Sequence, residues 1–162
     1  MTQFKNGPIQ GVEVRKLQKH LDVRGWLCEL YRTDESSGEV TPAMCYASLT
    51  RPGVTRGPHE HLDQTDWFCF FGPSNFLVVL WDRRPDSPTL HSRMRLVFGE
   101  DAPASVIVPP GVVHGYRNVG GKDGLVLNLP NRLFMGPMRS KPVDEIRHEI
   151  EADSPFCMDD ES

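Results

Sequence analysis

The stretch Arg56-Gly57-Pro58-His59-Glu60-His61-Leu62-Asp63-Gln64-Thr65-Asp66-Trp67-Phe68-Cys69-Phe70-Phe71-Gly72 joins a polar, histidine-bearing half to an unbroken apolar half. Side chains on a strand alternate between its two faces, so His59 and His61 project together while Glu60 points the other way. The apolar half then reads as a buried strand, which places the polar chemistry at the margin of a β core. Further along, Pro109-Pro110-Gly111-Val112-Val113-His114-Gly115-Tyr116 brings a third histidine just past a tight turn.

Working outward, short apolar runs alternate with turn residues; glycine and proline contribute 14 each. That punctuation suits many short strands rather than helices. Val12–Leu17, Gly25–Tyr31, Met44–Leu49, Asn75–Trp81, Met94–Phe98, Ser105–Val108 and Leu125–Leu129 each read as a strand, and the unbroken run Asn75–Trp81 suits one covered on both faces. With the opening stretch they make about eight or nine strands, a count that fits a double-sheet jelly roll. Only Val143–Glu151 reads as helical. The expected fold is therefore all-β, a cupin-type double-stranded β-helix (jelly roll) with a short C-terminal helix, forming a single domain over 1–162 with a frayed tail at 157–162. A chain of 162 residues is long enough to bury about 70% of its unfolded surface without staples.

Composition narrows the function. The net charge is -4, from 18 basic and 22 acidic residues with no dense basic cluster, which argues against nucleic acid as a partner. No apolar run reaches the ~20 residues of a membrane span, and the first residues lack the apolar core of a signal peptide, so no membrane partner and a cytoplasmic location are expected. Cys28, Cys45, Cys69 and Cys157 are scattered and read as reduced thiols.

Two chemistries fit the histidines. His59, His61 and His114 are neutral-imidazole donors that can converge on Zn, Fe, Mn or Ni, with Asp66 or Glu60 as a carboxylate ligand. The spacing resembles the two cupin motifs: His-x-His with an acid five residues later, then Pro109, Gly111, His114 and Asn118. The same imidazoles, with free pKa values of ~6.5, can instead move protons at neutral pH. Arg24, Arg51, Arg56, Arg83 and Arg84 lie at turns or strand ends, where guanidinium forks can grip a diphosphate, although for most of them a solvated surface charge is the simpler account. Trp67 and Trp81, beside these residues, are the aromatics placed to touch a ligand. The Asp82 and Asp86 pair reads as turn chemistry.

Five ordered blocks resemble the deoxythymidine diphosphate-4-dehydrorhamnose 3,5-epimerase family: Asp22-x-Arg24-Gly25-x-x-x-Glu29; Gly53-Val54-x-Arg56-Gly57-x-His59; Asp82-x-Arg84-x-x-Ser87-Pro88-Thr89; Pro110-Gly111-x-x-His114-Gly115-Tyr116; and Asn128-x-Pro130 with Asp144-Glu145-x-Arg147. The resemblance implies a cofactor-free jelly-roll homodimer that inverts carbons flanking the ketone of a small-molecule nucleotide-sugar substrate. It implies His59 as the base, with His114 and Arg56 stabilising the enolate and Asp153 orienting the base. Arg24 and Glu29 match nucleotide-binding positions often supplied by the partner subunit, and Trp67 and Arg84 join them as candidate substrate contacts.

The chain departs from that pattern in four places. The family's proton-returning tyrosine falls at or next to Phe134, for which Tyr116 is the candidate substitute. An aromatic that packs on the base falls at Leu27, and a Gln-x-Asn pair falls at Met44 and Tyr46. His61 stands where the family has glutamine and resembles the sugar 3,4-ketoisomerases, which makes His61 a second candidate proton carrier. The expected function is thus proton abstraction beside the ketone of a 4-keto-hexose, leading to epimerisation or isomerisation. A metal centre of His59, His61, Asp66 and His114, or a non-catalytic sugar-nucleotide binder, are the alternatives.

Overall fold

The computed structural model describes residues 3–34 and 40–159. Among them are thirteen strands, in chain order β1 Lys5–Asn6, β2 Glu13–Lys16, β3 Lys19–Asp22, β4 Gly25–Cys28, β5 Tyr46–Thr50, β6 Thr55–Glu60, β7 Asp66–Phe70, β8 Asn75–Asp82, β9 Ser92–Gly99, β10 Ala104–Val108, β11 Val112–Asn118, β12 Gly124–Asn128 and β13 Ile146–Arg147. They form a six-stranded sheet, β1-β9-β8-β11-β6-β13, a five-stranded sheet, β2-β10-β7-β12-β5, and a separate two-stranded hairpin, β3-β4. All pairings are antiparallel except β1 with β9. This is the expected all-β jelly roll.

The two large sheets face each other over one core. Phe68 and Phe70 of β7, Phe76, Val78 and Leu80 of β8, Val106 and Val108 of β10, Val112 and Tyr116 of β11 and Val126 of β12 meet between them. These residues alternate along their strands, and that alternation sends the intervening ones outward. Behind the six-stranded sheet, Val79, Trp81 and Val113 pack on Phe4, Phe156 and Met158 from the two chain ends. Behind the five-stranded sheet, Trp67, Cys69 and Ile107 pack on Leu17 and Leu129, with Leu30 and Tyr31 alongside. Both faces of β7 are therefore covered, which is why its five residues are all buried.

Three local expectations change. Val112–Asn118, read from sequence only as a histidine-bearing segment just past a tight turn, is a central strand between β8 and β6. The C-terminal helix is limited to one 3-10 turn, His148–Ile150, because Ile146 and Arg147 just before it pair with Glu60 and His59 as a sheet edge. The tail is packed further than expected: Met158 is buried and Asp159 pairs with Arg117, while residues 160–162 lie outside the described residues. No described helix is long and apolar enough to cross a membrane.

Candidate active site

At one end of the intersheet core the apolar layer gives way to polar groups from both sheets. Cross-strand pairing sets His114 of β11 opposite His59 of β6, with ring centroids 4.5 Å apart. His61, just past β6, lies with its ring centroid 5.5 Å from that of His59. Asp66, the first residue of β7, rises from the facing sheet. One donor atom from each of His59, His61, Asp66 and His114 lies within 4.8 Å of all the others. Glu60 faces outward, as alternation requires, and binds Arg83 and His148 at 2.8 and 2.9 Å. Of the two carboxylates considered with the histidines, only Asp66 shares their enclosure.

The surrounding chain fixes these groups from their far sides. His114 Nδ1 meets the Val112 carbonyl oxygen at 3.0 Å, and His61 Nδ1 meets the Asp144 carbonyl oxygen. Asp66 Oδ1 accepts from Gln64 Nε2 at 2.9 Å and Asn128 Nδ2 at 2.8 Å. Asp144 in turn accepts the backbone N–H groups of Leu62, Asp63 and Gln64, holding the loop between His61 and Asp66. Asp66 Oδ2 lies 3.1 Å from both His61 Nε2 and His114 Nε2, yet neither Asp66 Oδ2 nor His114 Nε2 makes a hydrogen bond of acceptable geometry.

Protonation follows from this packing. Burial above all, and then the neighbouring His114 and His61, push His59 down to about 2, so its ring is a neutral proton acceptor at working pH. Burial acts against charge on His61 as well, but the Asp66 carboxylate outweighs it and raises that ring. Asp66 is held well below the ordinary carboxylate range: burial opposes its charge, and His114 and His61 more than offset that.

Tyr46, Ser48 and Thr50 line the inner face of β5, with Tyr46 OH accepting from Asn128 Nδ2 at 2.9 Å. Burial pushes the Tyr46 phenol up to about 12, leaving it a hydrogen-bond donor. Arg56 is anchored by Nε to Thr50 Oγ1 at 2.9 Å and by Nη2 to the Leu49 carbonyl oxygen at 2.8 Å. Arg147, opposite His59 in the β6–β13 register, donates to Glu145 Oε2 at 2.7 Å.

The sequence marks Tyr46 only as a departure from the family pattern and Asn128 only as part of a matched block, and gives Gln64 no role. The available signal was alternation: Tyr46 shares parity with Ser48 and Thr50, and Asn128 with Val126. Fixing their partners requires the β12–β5 and β12–β7 registers.

Other candidates fall elsewhere. Trp67 is buried behind the five-stranded sheet, where it contacts Tyr31 and Arg15, because the residue after Asp66 must face the opposite way. Trp81 is likewise buried behind the other sheet. Arg84 is spent on Asp82 and the Gln10 carbonyl oxygen, closing the Asp82–Thr89 turn. Asp153 is exposed in the C-terminal segment, and no hydrogen bond or ion pair joins it to His59 among the described residues. Tyr116 is buried in the aromatic core with its hydroxyl 2.8 Å from Ser48 Oγ. Arg24, at the β3–β4 tip, pairs with Asp22 at 2.5 Å, and Glu29 pairs with Arg32 at 3.3 Å; both lie outside the barrel. Phe134 is half exposed, with its backbone N–H against Met44 Sδ.

A jelly roll with imidazoles and a carboxylate gathered between its two sheets is the architecture of a cupin-type protein. Comparison with known proteins carries this further. The description of the dTDP-4-dehydrorhamnose 3,5-epimerase family matches residues 6–127, and the chain belongs to that family. It is 39% identical over 128 residues to the probable low-salt glycan biosynthesis epimerase Agl13 of Haloferax volcanii, covering 78% of this chain and 81% of that protein. It is 42% identical over 112 residues to the spore coat polysaccharide biosynthesis protein SpsL of Bacillus subtilis, covering 69% and 73%. Among solved structures, a dTDP sugar isomerase from Desulfovibrio desulfuricans shares the fold, with a TM-score of 0.79 at 23% identity over 93% of this chain and 92% of that one.

Proposed function

We propose that the protein is an epimerase or isomerase of a nucleotide-linked 4-keto-hexose, with His59 as the base and Tyr46 as the acid on the facing wall. The observation that carries this is that His59 on one sheet and Tyr46 on the other both border Asp66: donor atoms of His59 and Asp66 lie within 4.8 Å of each other, and Asn128 Nδ2 donates to both Tyr46 OH and Asp66 Oδ1. A ketone acidifies the C–H bonds beside it, so a positioned base removes one proton and the electron pair moves onto the ketone oxygen as an enolate. Arg56, on the same strand as His59, would stabilise that oxygen. Returning a proton from Tyr46 to the opposite ring face inverts the carbon; His59 then releases its proton to solvent and the Tyr46 phenolate takes one back, which resets both groups. Tyr46 thereby takes over the task for which the family residue is replaced by Phe134.

The same proposal includes a homodimer. The β3–β4 hairpin stands outside both sheets and presents Leu21, Val23, Trp26 and Leu27 to solvent around Arg24. An apolar hairpin on a small domain is unfavourable unless covered, and a second copy would cover it while delivering Arg24 and Glu29 to the neighbouring site's diphosphate.

Incubation with dTDP-4-keto-6-deoxyglucose in deuterated water tests the catalytic reading. Deuterium should enter beside the ketone, and His59→Gln should slow entry by ~10²–10⁴-fold. Ligand-induced stabilisation with no exchange would leave a sugar-nucleotide binder instead.

A further inference from the structure

Three buried side-chain atoms lack a hydrogen-bond partner among the described residues, and two of them belong to the site. Asp66 Oδ2 and His114 Nε2 make no hydrogen bond, although they lie only 3.1 Å apart and His61 Nε2 lies 3.1 Å from the same oxygen. Their environment explains why no hydrogen lies between them. A backbone carbonyl only accepts, so the carbonyls of Val112 and Asp144 place the hydrogens of neutral His114 and His61 on Nδ1 and leave a lone pair on each Nε2. The Gln64 amide donor, 3.2 Å from His61 Nε2, requires a lone pair there too. Asp66 Oδ1 is taken by Gln64 and Asn128, which leaves Oδ2 turned toward the rings.

Three electron pairs thus converge in a buried cluster, and lone pairs at that range repel unless a cation lies among them. Bonds of about 2.1 Å from a divalent first-row metal, meeting at angles between square and tetrahedral, hold donor atoms about 3.0–3.4 Å apart. Both observed spacings fall in that interval. We propose that His61, Asp66 and His114 form a two-histidine, one-carboxylate centre for a divalent first-row transition ion, with His59 on its open side.

The donor set narrows the ion. Two imidazoles with a single carboxylate suit Zn²⁺, Fe²⁺, Mn²⁺, Co²⁺ or Ni²⁺, whereas Mg²⁺ and Ca²⁺ favour oxygen ligands. Gln64, Asn128 and the two carbonyls are the outer groups that orient such ligands. When bound, the ion would supply Lewis acidity toward a ketone oxygen. The site stands on its own geometry and does not depend on the substrate proposed above.

Untagged protein analysed by plasma mass spectrometry should carry about one equivalent of transition metal per chain. Protein stripped with a chelator should regain it from Zn²⁺, Mn²⁺, anaerobic Fe²⁺, Co²⁺ or Ni²⁺, with a rise in melting temperature and, for Co²⁺, a visible absorption band. Asp66→Asn should weaken uptake at least ~10²-fold while keeping the far-ultraviolet circular dichroism of the parent. If that variant fails to fold, His61→Gln takes its place, and Tyr46→Phe should keep full occupancy. Stripped protein that binds none of these ions, or folded Asp66→Asn and His61→Gln proteins with parental affinity, would overturn the proposal. Ion uptake without deuterium exchange would sink the epimerase reading and leave the metal centre standing, and the reverse pattern would do the opposite.

Discussion

Tyr46 and Asp66 share one amide: Asn128 Nδ2 lies 2.9 Å from the phenol oxygen and 2.8 Å from Asp66 Oδ1. Because Asn128 supplies the hydrogen to both, the Tyr46 hydroxyl keeps its own hydrogen available for a ligand. Tyr46→Phe removes that hydrogen together with the oxygen that accepts from Asn128, whose amide keeps Asp66 Oδ1 as a partner. It should lower the rate of epimerised product formation by ~10²–10⁴-fold with a smaller change in KM. Deuterium washout at the carbon deprotonated by His59 should persist, since the base is intact. Nuclear magnetic resonance of the sugar ring protons during turnover separates the two events; equal loss of both would remove Tyr46 from the acid role.

The hairpin offers a second test. Val23 and Leu21 are 104% and 81% exposed, at the tip that also bears Arg24. Leu21→Asp with Val23→Asp should leave each barrel folded, because neither residue belongs to the packed clusters, and should shift sedimentation from dimer to monomer. Arg24→Ala in the dimer should raise KM for the nucleotide sugar by about tenfold, equivalent to about 1.4 kcal/mol, with kcat little changed. A parent protein that sediments as a monomer at micromolar concentration would refute the shared site.

Asp82 supports a stability prediction with a defined pH sense. Its carboxylate, fully buried, accepts from Arg84 Nη2 at 2.8 Å, Ser87 Oγ at 2.5 Å and Thr89 Oγ1 at 2.6 Å. Burial pushes the carboxyl up, but these donors outweigh it and hold it well below its ordinary range. A depressed folded value means the unfolded chain binds the proton first, so the contribution is present above the unfolded value of ~3.9 and is lost as pH falls toward the folded one. Asp82→Asn should cost about 3 kcal/mol at pH 7 by urea denaturation. The gap between parent and variant should narrow as pH falls below ~4.

What could be read from the residues alone follows from range. Period-two alternation placed His59 and His61 on one face with Glu60 on the other, and the punctuation by glycine and proline gave a jelly roll. The same alternation, applied one residue further, also separates Trp67 from Asp66, and the Asp82-x-Arg84 spacing already contains the ion pair that engages Arg84. Other features depend on pairings that no local pattern encodes. Asn128 reaches Asp66 across 62 positions and the Asp144 carbonyl reaches His61 across 83, so the inner support of the site appears only once β12 and the segment before β13 are in place. The helix expected at Val143–Glu151 failed for the same reason: a sheet edge was available to Ile146 and Arg147, and tertiary pairing overrode local propensity.

Gly57 is where the backbone itself positions the base. Its φ is +77°, and an added Cβ would lie 2.6 Å from the His114 carbonyl oxygen and 3.0 Å from His59 Nδ1. The first contact is to backbone in the neighbouring central strand, which cannot rotate away, and the left-handed conformation itself disfavours a side chain. Gly57→Ala should therefore combine strain of about 1–2 kcal/mol with a forced separation of β6 from β11 at the His59–His114 pair. A fall in melting temperature of several degrees is expected. Activity should fall further than stability does, because a small displacement of a catalytic group can cost ~10²-fold in rate. Comparing turnover with the folded fraction at 25 °C checks this: a variant whose rate falls only in proportion to its unfolding would show that Gly57 serves the fold and not the placement of His59.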